Sequence, residues 1–89
     1  MGYTLEFSTK AKRDLKKLSP GIATRILQKL AWLRTVDDPV RFGKVLQGKD
    51  GVQVRFRIGK YRVIATVDTM RGQAHLTIVR IQHRKDVYR

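Results

Sequence analysis

Apolar and polar residues alternate through VQVRFRI, residues 52–58: Val52, Val54, Phe56 and Ile58 are interleaved with Gln53, Arg55 and Arg57. A period of two sends the two sets to opposite faces, so the pattern predicts a half-buried strand. Gly59-Lys60 follows as a two-residue hairpin turn, and a second β-like run starts at Tyr61. With only two residues in the turn, Ile58 pairs with Tyr61 and Arg57 with Arg62. Arg55 falls on the same polar face as those two arginines.

The same reading extends along the chain. Tyr3, Leu5 and Phe7 alternate with Thr4 and Glu6, a short strand. Ser8 or Thr9 N-caps a helix with an apolar stripe of Ala11, Leu15 and Leu18. Ser19-Pro20 starts a second helix with proline at its first position. Its buried face is Ile22, Ile26, Leu30 and Leu33, widened by Ala23, Leu27 and Trp32. Asp37-Asp38-Pro39 ends it, because proline disfavours a helical residue before it. Residues 40–51, with Gly43, Gly48 and Gly51, read as a loop. Strands are predicted over about 52–58, 61–67 and 74–82, with a turn over 69–73. The tail HRKDVYR reads as one helical turn. The order β-α-α-β-β-β predicts an α+β fold in a single domain, residues 1–89. An N-terminal αα-hairpin packs on one face of an antiparallel sheet, and a short helical turn closes the chain. The other face of the sheet is left free.

Composition narrows the function classes. There is no cysteine, which excludes disulfides and cysteine-based zinc sites and fits a reducing cytoplasm. MGYTLEFSTKAKR has no long apolar run, so neither a signal peptide nor a membrane span is expected. Twenty Lys and Arg against seven Asp and Glu give a formal charge of +13. The excess is spread along the chain, with eleven basic residues in 1–50 and nine in 51–89. A folded domain that basic meets a polyanion or an acidic partner.

The charge changes how the hairpin is read. Like charges directly opposite in a sheet cost roughly 0.2–1 kcal/mol. A phosphate between Arg57 and Arg62 would reverse that sign through charge-assisted bonds. From the hairpin alone, a solvated face with splayed arginines accounts for the pattern equally well. His75 falls near the start of the last strand and reads as a surface residue. His83 closes that strand beside Arg84; there it is either structural or a general acid or base for a phosphate site. The acidic residues are scattered with no metal-site spacing, and no Walker loop, GxGxxG or GxSxG occurs. No cofactor or metal is expected. The second helix is too apolar to serve as a recognition helix.

Taken in order, YTLEFSTKAKRDLKKL, DP followed by LQG, VRFRIGKYRVIATVD and IVRIQHRKDVY resemble the RelE/ParE superfamily of toxins from toxin–antitoxin modules, almost end to end. The resemblance implies the fold just read. It also implies a RelE-type mRNA endonuclease that enters the ribosome. In that chemistry a ribose 2′-hydroxyl attacks the adjacent phosphate, leaving a 2′,3′-cyclic phosphate and a 5′-hydroxyl. Arg55 matches a strand lysine of RelE-like members, Arg62 the arginine after the hairpin tyrosine, and Tyr88 the C-terminal tyrosine. Gln53 and Gln82 stand where other members carry a strand lysine and a late-strand arginine. His83, next to Gln82, is expected to take proton-transfer work. Arg57, Lys60, Arg84 and Lys85 are expected to hold RNA. The implied partners are a cognate antitoxin, the ribosome and mRNA. The alternatives are a ParE-like toxin acting on DNA gyrase and an inactive RNA-binding member.

Overall fold

Ser8 ends one element and starts the next. The computed structural model describes residues 4–48, 51–70 and 72–87. Strand β1 (Thr4–Phe7) leads into helix α1 (Thr9–Lys16). Between them the Ser8 hydroxyl accepts the Ala11 N–H at 3.1 Å and lies 3.3 Å from the Val79 carbonyl, to which it donates. The serine therefore caps the helix and fastens its start to the sheet. Helix α2 (Pro20–Leu33) begins at Pro20, as the Ser19-Pro20 signal predicts. A 3-10 turn (Pro39–Phe42) carries the chain to strand β2 (Lys44–Gly48). Strands β3 (Gly51–Ile58), β4 (Tyr61–Met70) and β5 (Gln73–His83) follow, then a helical turn, α3 (Arg84–Val87). None of the described helices is long and apolar enough to cross a membrane.

The five strands lie in the order β1-β5-β4-β3-β2. The α+β class, the αα-hairpin and the final helical turn are as expected, and the sheet has one strand more. Lys44–Gly48, expected as loop, pairs antiparallel with β3 as an edge strand. β1 pairs parallel with β5, so the sheet is mixed. β4 also runs to Met70 and β5 starts at Gln73, which shortens the turn expected over 69–73. His75, expected at the surface, is only 18% exposed in its side chain; it is hydrogen-bonded to Thr4 Oγ1 and lies 3.5 Å from Glu6, so it ties β5 to β1.

The buried set fills one face of the sheet. Val54, Phe56 and Ile58 from β3, Val63 and Ala65 from β4, and Leu76, Ile78 and Ile81 from β5 meet Ala11, Ile26, Leu30 and Leu33 from the helices. Each buried Val, Leu, Ile or Phe of this set contributes roughly 1.5–3 kcal/mol by leaving water, and the two alanines less. In β5 the buried positions Leu76, Ile78 and Ile81 break the period of two. A bulge resolves this: Ala65 pairs with Ile78, and Ile64 with Arg80, leaving Val79 as the extra residue. Past Val79 the alternation restarts one residue late. Ile81 faces the core, Arg80 and Gln82 take the open face, and His83 takes the helix side.

Candidate functional site

Two turn residues bring the arginines together. Gly59 has φ 59°, a left-handed conformation that glycine adopts without strain, and Lys60 completes the turn. The register is Ile58 with Tyr61 and Arg57 with Arg62, as the turn length predicts. Arg55 sits two residues before Arg57 on the same face, opposite Ile64. On the other side of β3, Lys44 pairs with Arg55. The open face therefore carries Lys44, Arg55, Arg57 and Arg62 on three adjacent strands about 5 Å apart.

These cations enclose a hollow. Lys44, Arg55, Arg57 and Arg62, with Phe56, line a cavity of about 230 Å³. A second cavity of about 260 Å³ continues from it around the hairpin tip, lined by Arg57, Gly59, Lys60, Tyr61, Arg62 and Arg84. Among the described residues, no carboxylate lines either cavity. Arg55 Nε is buried and has no hydrogen-bond partner among the described residues. A buried donor without a partner costs about 1–3 kcal/mol, more when charged, so an anion that reaches it gains that much. Gln53 lies on the same face, between Leu46 and Thr66.

Arg80 belongs to the open face by register, yet it is committed elsewhere. Its Nε lies 3.0 Å from Asp14 Oδ2, and the same oxygen accepts the Ile81 N–H at 2.9 Å. β1 ends at Phe7, opposite Ile78. Beyond that point Asp14 stands in for the missing strand and closes the edge of β5.

His83 does not join the arginines. It pairs with Tyr61, and the two rings meet edge to face with centroids 5.0 Å apart. Gln82 is the residue beside Arg62. The bulge at Val79 is the reason: an unbroken alternation from Leu76 and Ile78 would have turned His83 toward the open face. His83 Nδ1 accepts the Lys85 N–H at 3.0 Å, which puts the proton of the neutral ring on Nε2. Arg84 donates its N–H to the Lys60 carbonyl at 2.7 Å, so α3 starts beside the hairpin turn. Arg84 thus lines the second cavity, and Lys85 is exposed on α3. Tyr88 lies outside the described residues.

Lys44 is the residue that sequence reasoning missed, because its strand reads as loop. The local pattern carries no strand signal: Lys44-Val45-Leu46-Gln47 reads polar, apolar, apolar, polar between two glycines, without a period of two. Gly43 holds the start of this strand close to β3. A Cβ there would stand 2.6 Å from Val54 Cγ2, 2.8 Å from the Arg55 carbonyl oxygen and 2.9 Å from Phe56 Cδ1.

Comparison with known proteins gives one consistent picture. The family model described as ParE toxin of type II toxin-antitoxin system, parDE, matches residues 5–88. The chain is similar to Toxin RelG of Mycobacterium tuberculosis, 36% identical over 91 residues, which covers 100% of this chain and 99% of that protein. It superposes on a chain of the toxin–antitoxin complex RelBE2 from the same organism with a TM-score of 0.67 at 33% identity, covering 94% of this chain and 100% of that one. An archaeal RelE–RelB complex from Pyrococcus horikoshii gives a TM-score of 0.72 at 24% identity, over 94% of this chain and 97% of its counterpart, a likeness of fold.

Proposed function

The chain belongs to the RelE/ParE superfamily of toxins from type II toxin–antitoxin modules, and on that premise we propose that it is a RelE-type endoribonuclease that cuts mRNA in the ribosome. The observation that carries this reading is the cation face, on which Arg57 faces Arg62, Arg55 Nε has no hydrogen-bond partner among the described residues, and no carboxylate of those residues lines the cavities. Cations clustered in this way favour a phosphate among them through charge-assisted hydrogen bonds.

The reaction follows from that charge. The 2′-hydroxyl attacks its own 3′-phosphate, and the pentavalent phosphorane gains negative charge on its equatorial oxygens. Arg55 and Arg62 hold the scissile phosphate and stabilise that charge, an interaction strongest at the transition state. Arg57, Lys60, Arg84 and Lys85 bind the flanking phosphates. Tyr88 takes the role of the C-terminal tyrosine of RelE-like members. His83 packs against Tyr61 and anchors the end of β5; proton transfer at the phosphate is not its task in this reading. A cognate antitoxin of acidic character restrains the toxin in the cytoplasm, in keeping with the toxin–antitoxin pairs among the structural relatives.

A second reading is a ParE-like inhibitor of DNA gyrase. It is favoured by the name of the matching family model and by Gln53 and Gln82 at two positions where RelE-like members are basic. Purified protein added to a translating extract and to a gyrase supercoiling assay separates the two. The nuclease reading expects new mRNA 5′ ends and unchanged supercoiling.

A further inference from the structure

Cleavage of this kind needs a proton on the 5′-oxygen as it leaves, and the cation face offers few groups able to supply one. Three of the four cations around the cavity are arginines. A guanidinium does not give up its proton in a protein. The amide of Gln53, at the place of the strand lysine in RelE-like members, does not transfer one either. His83 stands on the other side of the sheet, beside Tyr61. Lys60 and Tyr61 line the second cavity at the hairpin tip, beyond the Arg57–Arg62 pair.

We propose that Lys44 is the general acid of the cleavage, its ammonium protonating the 5′-oxygen as the P–O5′ bond breaks. This rests on the nuclease reading above. Lys44 is exposed at the start of β2 and pairs with Arg55, so its flexible stem begins one strand away from the guanidinium that holds the phosphate. Close packing of Gly43 on Val54, Phe56 and the Arg55 carbonyl fixes where that stem begins. An ammonium carries three donors on a mobile chain, so Nζ can reach an oxygen that moves as the phosphorane collapses. In the step, the 2′-oxygen bonds to phosphorus and its proton passes to a water molecule. The P–O5′ electron pair goes to the 5′-oxygen, which takes a proton from Lys44 Nζ. The neutral amine then regains a proton from solvent.

The test uses the full chain on ribosomes programmed with two messages. One is ordinary RNA, and the other carries sulfur in place of the bridging 5′-oxygen at the cut site. A thiolate leaves without protonation, so the sulfur message bypasses a general acid. Wild type is expected to cut both. K44A is expected to cut the oxygen message roughly 10²–10⁴-fold more slowly, the range for one proton-transfer group, and to recover to within about tenfold of wild type on the sulfur message. K44R keeps the charge without a transferable proton, so it should show the same loss and the same recovery. Melting temperatures equal to wild type would show that both variants fold. A K44A or K44R variant that cuts the oxygen message at the wild-type rate, or is equally slow on both messages, overturns the assignment. A wild-type protein that cuts neither message overturns the nuclease reading itself.

Discussion

Asp14→Ala tests how the sheet edge is closed. One carboxylate oxygen, 13% exposed in its side chain, accepts two bonds: the Ile81 N–H at 2.9 Å and Arg80 Nε at 3.0 Å. A hydrogen bond to a charged acceptor is worth about 1.5–3 kcal/mol net. The Arg80 side chain is 33% exposed, so solvent screening holds its share to about 0.5–1 kcal/mol. Alanine also leaves the Ile81 N–H with no acceptor. The expected loss is about 2–4 kcal/mol, which for a domain of this size is on the order of 10–20 °C in melting temperature. Asp14→Asn keeps one neutral acceptor and should lose about half as much. Arg80→Ala should cost about 1 kcal/mol or less, because Asp14 still accepts from Ile81. Urea unfolding of the three variants would give the order, with the midpoint shifting at constant slope. An Asp14→Ala variant within about 0.5 kcal/mol of wild type, or an Arg80→Ala variant that loses as much as Asp14→Ala, would show that Asp14 does not close this edge.

Arg62→Ala should slow cleavage by about a hundredfold or more, because the phosphorane charge loses one of its two guanidinium partners, while thermal melts on the same samples show that the variant folds. His83→Ala should slow cleavage less than about tenfold and lower stability instead, through the lost ring contact with Tyr61; the same thermal melts and single-turnover assays decide it. Gly43→Ala forces contacts below 3.0 Å on β3, including one with backbone, and should cost about 1–3 kcal/mol in unfolding free energy. Binding to a single-stranded RNA should weaken with salt along a log–log slope near −3.5, from about five phosphate contacts at roughly 0.7 each; a slope near zero would exclude this mode.

The parts of the fold that local chemistry dictates were legible in the sequence. The two-residue turn Gly59-Lys60 leaves one register, and that register alone sets Arg57 beside Arg62. The apolar stripe of α2 repeats at helical spacing, so Ile26, Leu30 and Leu33 are found buried as expected, whereas Leu27 and Trp32, expected to widen that face, are exposed. The parts that failed depend on distant neighbours. β2 is a short edge strand with Val45 at 47% exposure, and only pairing with β3 makes it a strand. The parallel pairing of β1 with β5 has no local signature. The bulge at Val79 left a trace in the spacing of Leu76, Ile78 and Ile81, two then three, and that trace would have moved His83 off the open face. Asp14 gave none, because its partners lie 66 and 67 residues away.

The central claim, that the cation face cuts RNA, is tested most directly by the chemistry of the new ends. Programmed ribosomes would be incubated with wild-type protein and with the Arg62→Ala variant, and the mRNA termini at the cut site identified. A 2′,3′-cyclic phosphate and a 5′-hydroxyl are expected with wild type, and intact message with the variant. Intact message with wild-type protein, or equal cutting by the variant, would contradict that claim.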